Sequence, residues 1–346
     1  MTATAAPTVL VSTRSFSTGD RDLVGELTAA GLRVVRVATD HDPSALAPDL
    51  RTATAWIAGT APVTAELVAA APALRVIARY GVGVESVDVA AADRAGVIVT
   101  NTPGANSEAV SEHTVALVFA ALRRVADGDA RVRCGDWTVS RGRQLAGGVA
   151  AVIGFGRIGR GTAGRLTALG CRVLVHDPYV DAAAISADGH EASDLDGIRR
   201  RADVVVLHSP GGALLVDRAW LADCREGQLI VNTARADLVD EHALAEALHG
   251  GRLFAYAADT LGSESRSDHV SPLLDPALHD RVTITPHLGA QTTEAVDGMG
   301  GMAVEAVLAV LAGRAPEHRV HPPTSVASAT STPPDPIGRG STPLEA

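Results

Sequence analysis

Short apolar runs recur along this chain, separated by longer stretches in which apolar residues return at helical spacing. Residues 8–12, 33–37, 54–58, 76–78 and 97–100 form one series of predicted strands, and residues 149–153, 173–176, 204–208, 229–231, 254–258 and 282–285 form a second. The runs are continuously apolar rather than alternating, as strands buried on both faces must be. Strand–helix alternation of this kind predicts an α/β chain with two Rossmann-like or flavodoxin-like units, each built on a parallel sheet. The intervening patterns predict helices at 106–124, behind candidate caps Asn106 and Ser107, at 241–249, stopped by Gly250-Gly251, and at 293–312, running to Gly313. Beyond about residue 322 the chain turns to Pro, Ser and Thr, so 322–346 is expected to be a disordered tail.

One strand carries chemistry with it. Ala151-Val-Ile-Gly-Phe-Gly-Arg-Ile-Gly159 is an apolar strand entering a Gly-x-Gly-x-x-Gly turn and then a helix. Gly154 permits the turn, Gly156 lets backbone approach a pyrophosphate, and Gly159 lets the helix pack on its strand. The free N–H groups and positive dipole end of the helix then face the anion. The next strand ends in Asp177, about 20 residues on, where a carboxylate accepts ribose hydroxyls and repels a 2′-phosphate. The cofactor is therefore read as NAD rather than NADP.

Composition narrows the alternatives. At 346 residues the chain is long enough for two cores, and a formal charge of -10 argues against a nucleic-acid surface. Its 30 basic residues are all arginine, which excludes lysine Schiff-base chemistry and a Walker lysine. Cys134, Cys171 and Cys224 are scattered, predicting free thiols in a reducing compartment and no metal site. No apolar run is long enough to span a membrane and no signal-peptide pattern opens the chain, so a cytoplasmic location and no membrane partner are expected.

Four segments, taken in order, resemble the D-2-hydroxyacid dehydrogenase family, in particular its phosphoglycerate-dehydrogenase-like branch. They are Arg79-Tyr-Gly-Val-Gly-Val-Glu-Ser-Val-Asp88; Asn101-Thr-Pro-Gly through Glu112-His-Thr114; the glycine turn with Asp177; and the series Asn232-Thr-Ala-Arg235, Ala258-Asp259 and Thr285-Pro-His-Leu-Gly289. The resemblance implies a nucleotide domain, residues 104–292, inserted into a discontinuous substrate domain of residues 1–103 plus 293–321. It implies a catalytic set of Arg235, Glu264 and His287. It also implies nucleotide contacts from Thr114, Arg157, Ile158, His208, Pro210, Thr233, Ala234 and Asp259, and a homodimer paired through nucleotide-domain helices that include 106–124.

The residues themselves suit that chemistry. Moving a hydride between a 2-hydroxy acid and nicotinamide requires a group for the hydroxyl proton and a cation for the carboxylate. His287 follows a strand end and is of a residue type whose unperturbed pKa lies near neutrality. Arg235 offers a planar fork of donors, and Glu264 is placed to bond the imidazolium and raise its pKa, with Asp268 a nearby rival. Ser265 and Ala236 stand where the family usually carries proline and glycine. The loop Tyr80-Gly-Val82-Gly83 is expected to receive a small anionic substrate on converging N–H groups, with Arg79 as a second cation.

Family members acting on phosphoglycerate carry an arginine where Ala58 stands here, which weakens that substrate. The leading expectation is an NAD-dependent oxidoreductase of D-2-hydroxy and 2-keto acids. The alternatives are a dehydrogenase of a phosphonate or related phosphorus anion and an NAD(H)-sensing protein similar to the corepressors that share this fold.

Overall fold

The computed structural model describes residues 6–264 and 270–322. Its first sheet contains β1 (Thr8–Val11), β2 (Arg33–Arg36), β3 (Ala53–Ala58), β4 (Val76–Arg79) and β5 (Ile98–Thr100), parallel in the order β2-β1-β3-β4-β5. The second contains β6 (Val149–Ile153), β7 (Arg172–His176), β8 (Glu191–Ala192), β9 (Val204–Leu207), β10 (Gln228–Asn232), β11 (Leu253–Ala258) and β12 (Val282–Ile284), parallel in the order β8-β7-β6-β9-β10-β11-β12. A thirteenth strand, β13 (Arg319–Val320), adds antiparallel to β5. The α/β architecture with two parallel-dominated sheets is the one expected.

The predicted strands match their observed bounds within a residue or two because β-branched side chains fill both faces; Val204–Leu207 and Leu229–Val231 are at most 2% exposed. Two strands escape the pattern. β8 and β13 are two residues each, too short for any periodicity. The first sheet buries Val9, Val11 and Ala55 against the helix Thr293–Leu311, whose Met299, Ala303, Val304 and Val307 complete that core. Arg75 clamps the end of this helix by donating to the carbonyls of Val310 and Leu311 at 2.9 and 3.1 Å.

The helix expected at 106–124 runs over Ser107–Arg123 and then breaks. Arg124 takes the left-handed conformation, φ 52°, and a second helix, Val125–Arg133, leaves in a new direction. Asn106 makes no side-chain capping bond and Ser107 is the first helical residue, so neither acts as the expected cap. The tail expected at 322–346 lies, apart from its first residue, outside the described residues, as does the rival carboxylate Asp268. Among the described residues no helix is long and apolar enough to cross a membrane, and no cluster has the makings of a metal site.

In both sheets the strand order reverses beside the first strand laid down, at β1/β3 and at β6/β9, and crevices open at such switch points beyond the carboxyl ends of the strands. Arg235, following β10, pairs with Glu85, following β4, so the carboxyl edges of the two sheets face one another across one cleft.

Candidate active site

The glycine turn is built for close approach. Gly154 has φ 95°, and a Cβ there would lie 2.5 Å from the carbonyl carbon of His208. A Cβ at Gly159 would collide with the carbonyl oxygen of Gly154. Gly156 opens the helix Arg157–Ala168 without a capping side chain, so the first N–H groups, those of Arg157, Ile158 and Gly159, point into the crevice. Asp177 accepts from the Phe155 N–H at 2.7 Å and from the Tyr179 N–H at 2.9 Å. Its carboxylate thus fixes the turn while keeping lone pairs at the strand end for a ribose. These residues fit an NAD dinucleotide: the cradle excludes side chains and its anion-binding end is left to backbone.

Around this cradle the other expected contacts fall into two groups. Pro210 is exposed and Ala234 lies at the cleft wall, after β9 and β10 respectively. His208 turns its Nε2 into the interior, where it has no hydrogen-bond partner and burial pushes its pKa down to about 3. Thr233 exchanges a 2.8 Å hydroxyl–hydroxyl bond with Thr114, which is fully buried and also donates to the Val110 carbonyl. Thr114 therefore supports Thr233 from behind rather than facing a nucleotide.

Asp259 likewise has another task. Its buried carboxylate accepts from Thr285 Oγ1 at 2.5 Å, from the N–H groups of Leu288 and Gly289 at 2.7 Å, and lies 3.2 Å from His113 Nε2. Burial pushes this carboxyl up, but these bonds outweigh it and hold it below its ordinary value. The consequence is local: Asp259 ties down the turn carrying His287, whose own N–H donates to the Asp259 carbonyl at 3.1 Å. His287 is held at φ 56°, a conformation non-glycine residues adopt at a cost of about 1 kcal/mol. That geometry persists because the surrounding bonds over-determine it.

The His287 ring meets Glu264, with Nδ1 at 2.7 Å from Oε1. This bond raises the His287 pKa against the opposing effect of burial. Bonded through Nδ1, the ring keeps Nε2 for the cleft. Arg235 donates from Nη1 to the Ala234 carbonyl at 2.9 Å and from Nη2 to Glu85 Oε2 at 3.3 Å. Its backbone is clamped by Asn232, whose Nδ2 donates to the Arg235 carbonyl at 2.8 Å and whose Oδ1 accepts from the Ala234 N–H at 3.0 Å.

The Tyr80–Gly83 loop differs from its expected form. Tyr80 turns its side chain into the core beside Phe16 and donates its hydroxyl to the Val296 carbonyl at 3.1 Å, because an aromatic ring after β4 has an apolar face to fill. The ring is thus no substrate contact. Arg79 is buried rather than a surface cation: its guanidinium donates to the Tyr80 carbonyl, and its Nε has no partner. Burial, and then the Arg235 charge, push its pKa down to about 10 while Glu85 opposes them. Each glycine of the loop lies under an arginine. A Cβ on Gly81 would sit 2.6 Å from Arg79 Nη1, and one on Gly83 would collide with both the Arg235 guanidinium and the Glu85 carboxylate. Asn101 Nδ2 donates to the Val82 carbonyl at 2.7 Å and fixes the loop.

Four of these residues were not singled out individually in the sequence: Glu85, Asn101, His113 and Asn232. All four lie inside the segments that carried the resemblance, which was the available signal.

Comparison with known proteins fits this geometry. The sequence profile described as D-isomer specific 2-hydroxyacid dehydrogenase, NAD binding domain, matches residues 115–289. D-3-phosphoglycerate dehydrogenase of Mycobacterium leprae is 42% identical over 256 residues, 72% of this chain and 48% of the relative. The enzyme of the same name from Methanocaldococcus jannaschii is 38% identical over 267 residues, 75% of this chain and 50% of the relative. The chain thus spans about half the length of the curated relatives it matches. A crystal structure of a protein from Thermus thermophilus superposes with a TM-score of 0.80 at 34% identity, covering 90% of this chain and 99% of that one.

Proposed function

The chain belongs to the D-isomer specific 2-hydroxyacid dehydrogenase family, and from that premise we propose that it is an NAD-dependent oxidoreductase interconverting a small D-2-hydroxy acid and its 2-oxo acid. The observation that carries the reading is the 2.7 Å Glu264–His287 pair, with Arg235 on the same sheet edge and the glycine loop across the cleft. In this reading the first sheet with the last helix forms the substrate-side domain, and the second sheet forms the nucleotide-side domain.

Gly154–Gly159 and Asp177 would hold the dinucleotide, which would accept the hydride as NAD or supply it as NADH. Arg235 and the N–H groups around Gly83 take the substrate carboxylate, orienting the 2-carbon toward the nicotinamide side. His287, protonated in the reducing direction, donates from Nε2 to the carbonyl oxygen as charge develops there. Glu264 stabilises the imidazolium and fixes its tautomer. The Asp259 network with His113 and Thr285 holds the strained turn that aims the ring.

We propose that the chain also pairs with a second copy of itself, through the helix Ser107–Arg123 and the exposed apolar residues Phe119, Val125, Val132, Trp137 and Val139 on and after it. A monomeric mass by light scattering at micromolar concentration refutes that pairing.

The activity is tested by following NADH oxidation with pyruvate, glyoxylate, hydroxypyruvate and branched 2-oxo acids, comparing wild type with His287→Ala. The variant is expected to lose about 10²–10⁴-fold in kcat with NADH affinity retained. Equal turnover removes His287 from the mechanism. Tight NADH binding without turnover on any acid favours the sensing protein.

A further inference from the structure

Resting on that reading, we propose that Glu85 sets the substrate class, by making the cleft a receptor for one negative charge and turning away acids that carry two. Its carboxylate lies with the Arg235 guanidinium directly above Gly83, the place that the glycine loop offers to a substrate carboxylate. An arriving carboxylate therefore meets an Arg235 whose outward Nη2 already has an anionic neighbour 3.3 Å away.

The position of Glu85 is fixed by its backbone. The loop is tied at Gly81, whose carbonyl accepts from the Thr102 N–H at 3.0 Å, at Val82 by Asn101, and at Val84, whose carbonyl accepts from the Val87 N–H at 2.9 Å. Arg79, buried against Gly81 of the same loop, is close enough to feel both Arg235 and Glu85.

Arg79, Arg235 and Glu85 together leave one net positive charge around the glycine loop, while His287 and Glu264, which lie on the same sheet edge as Arg235, balance once the ring is protonated. A monocarboxylate neutralises that charge. A second carboxylate or a phosphoryl group adds an anion beside Glu85, where like charges a few ångströms apart repel even though the Glu85 side chain is 55% exposed and water screens part of the effect. Ala58 at the end of β3 supplies no further cation to offset it.

The test compares wild type, Glu85→Gln and Glu85→Asp as full-length protein with saturating NADH. Two readouts are used: kcat/KM on pyruvate against oxaloacetate, and affinity for oxamate against tartronate. Glu85→Gln keeps shape and loses charge, so the dianion-to-monoanion ratio is expected to rise about tenfold or more in both readouts, tenfold being about 1.4 kcal/mol. Glu85→Asp keeps the charge and the wild-type ratio. An unchanged ratio in Glu85→Gln, with both acids moving together, overturns the proposal and makes the ion pair a bystander. If wild type reduces neither acid but binds the inhibitors, the oxidoreductase reading fails while the affinity ratio still decides the role of Glu85. If neither inhibitor binds any of the three proteins, both readings fall.

Discussion

Replacing Gly83 by alanine separates catalysis from folding more cleanly than any change to a charged residue. The added methyl would collide with the Arg235 guanidinium and the Glu85 carboxylate, both far ends of flexible side chains. Gly83 is outside the left-handed region, so alanine fits the backbone and reduces the entropy of the unfolded chain, worth about 0.4–1 kcal/mol in favour of the fold. The displaced arginine, however, loses its hold on the substrate carboxylate. A hydrogen bond to a charged group contributes about 1.5–3 kcal/mol, equivalent to roughly 10–150-fold in kcat/KM. The expected signature is therefore a loss of that size for the 2-oxo acid, an unchanged KM for NADH and a Tm no lower than wild type. Gly81→Ala provides the contrast: φ 142° strains any side chain, so both Tm and activity fall. Wild-type kcat/KM in a folded Gly83→Ala protein would refute the placement of the carboxylate over this loop, and a raised KM for NADH would relocate the effect to the cofactor.

Further outcomes follow from other parts of the site. Glu264→Gln removes the main cause of the raised His287 pKa, so the alkaline limb of the pH profile for 2-oxo acid reduction, where His287 loses its proton, moves to lower pH; an unmoved limb assigns the titration to another group. Asp177→Asn keeps an acceptor for the Phe155 N–H but removes the charge, so affinity for NADPH is expected to rise about tenfold relative to NADH, measured by fluorescence titration; an unchanged preference removes Asp177 as selector. Gly164→Ala, on the exposed face of the Arg157–Ala168 helix with nothing within 4 Å of the added carbon, is expected to stabilise by about 0.5–1 kcal/mol in urea unfolding with activity unchanged.

The sequence disclosed what depends on local pattern. Continuous Val, Ile and Leu runs located eleven strands, since a strand buried on both faces admits little else. The glycine turn was legible because each of its glycines meets a backbone constraint created within a few residues or by the next strand. What depends on distant partners was not legible. Asp259, read as a nucleotide contact, spends its carboxylate on N–H groups 29 and 30 residues further on. Tyr80 stood beside the glycine loop in sequence, but its ring is drawn into the core by Phe16 and by Val296 of the last helix. The break at Arg124 has neither glycine nor proline to announce it, and the arginines lying over Gly81 and Gly83 belong to different sheets. Periodicity reports which face a residue occupies; it carries no information on what arrives from another strand end.

The helix Thr293–Leu311 has a consequence for the order in which this protein is made. The apolar face of the first sheet is closed by Met299, Ala303, Val304 and Val307, which leave the ribosome about 200 residues after β5, or roughly 10–40 s later at ordinary elongation rates. During that interval the amino-terminal unit carries an uncovered apolar surface, while the strands of the second sheet emerge in turn, the last of them, Val282–Ile284, just ahead of the helix. The segment born first therefore waits for nearly the last one made, and the emergence of the final helix sets the moment at which the first sheet has its full core.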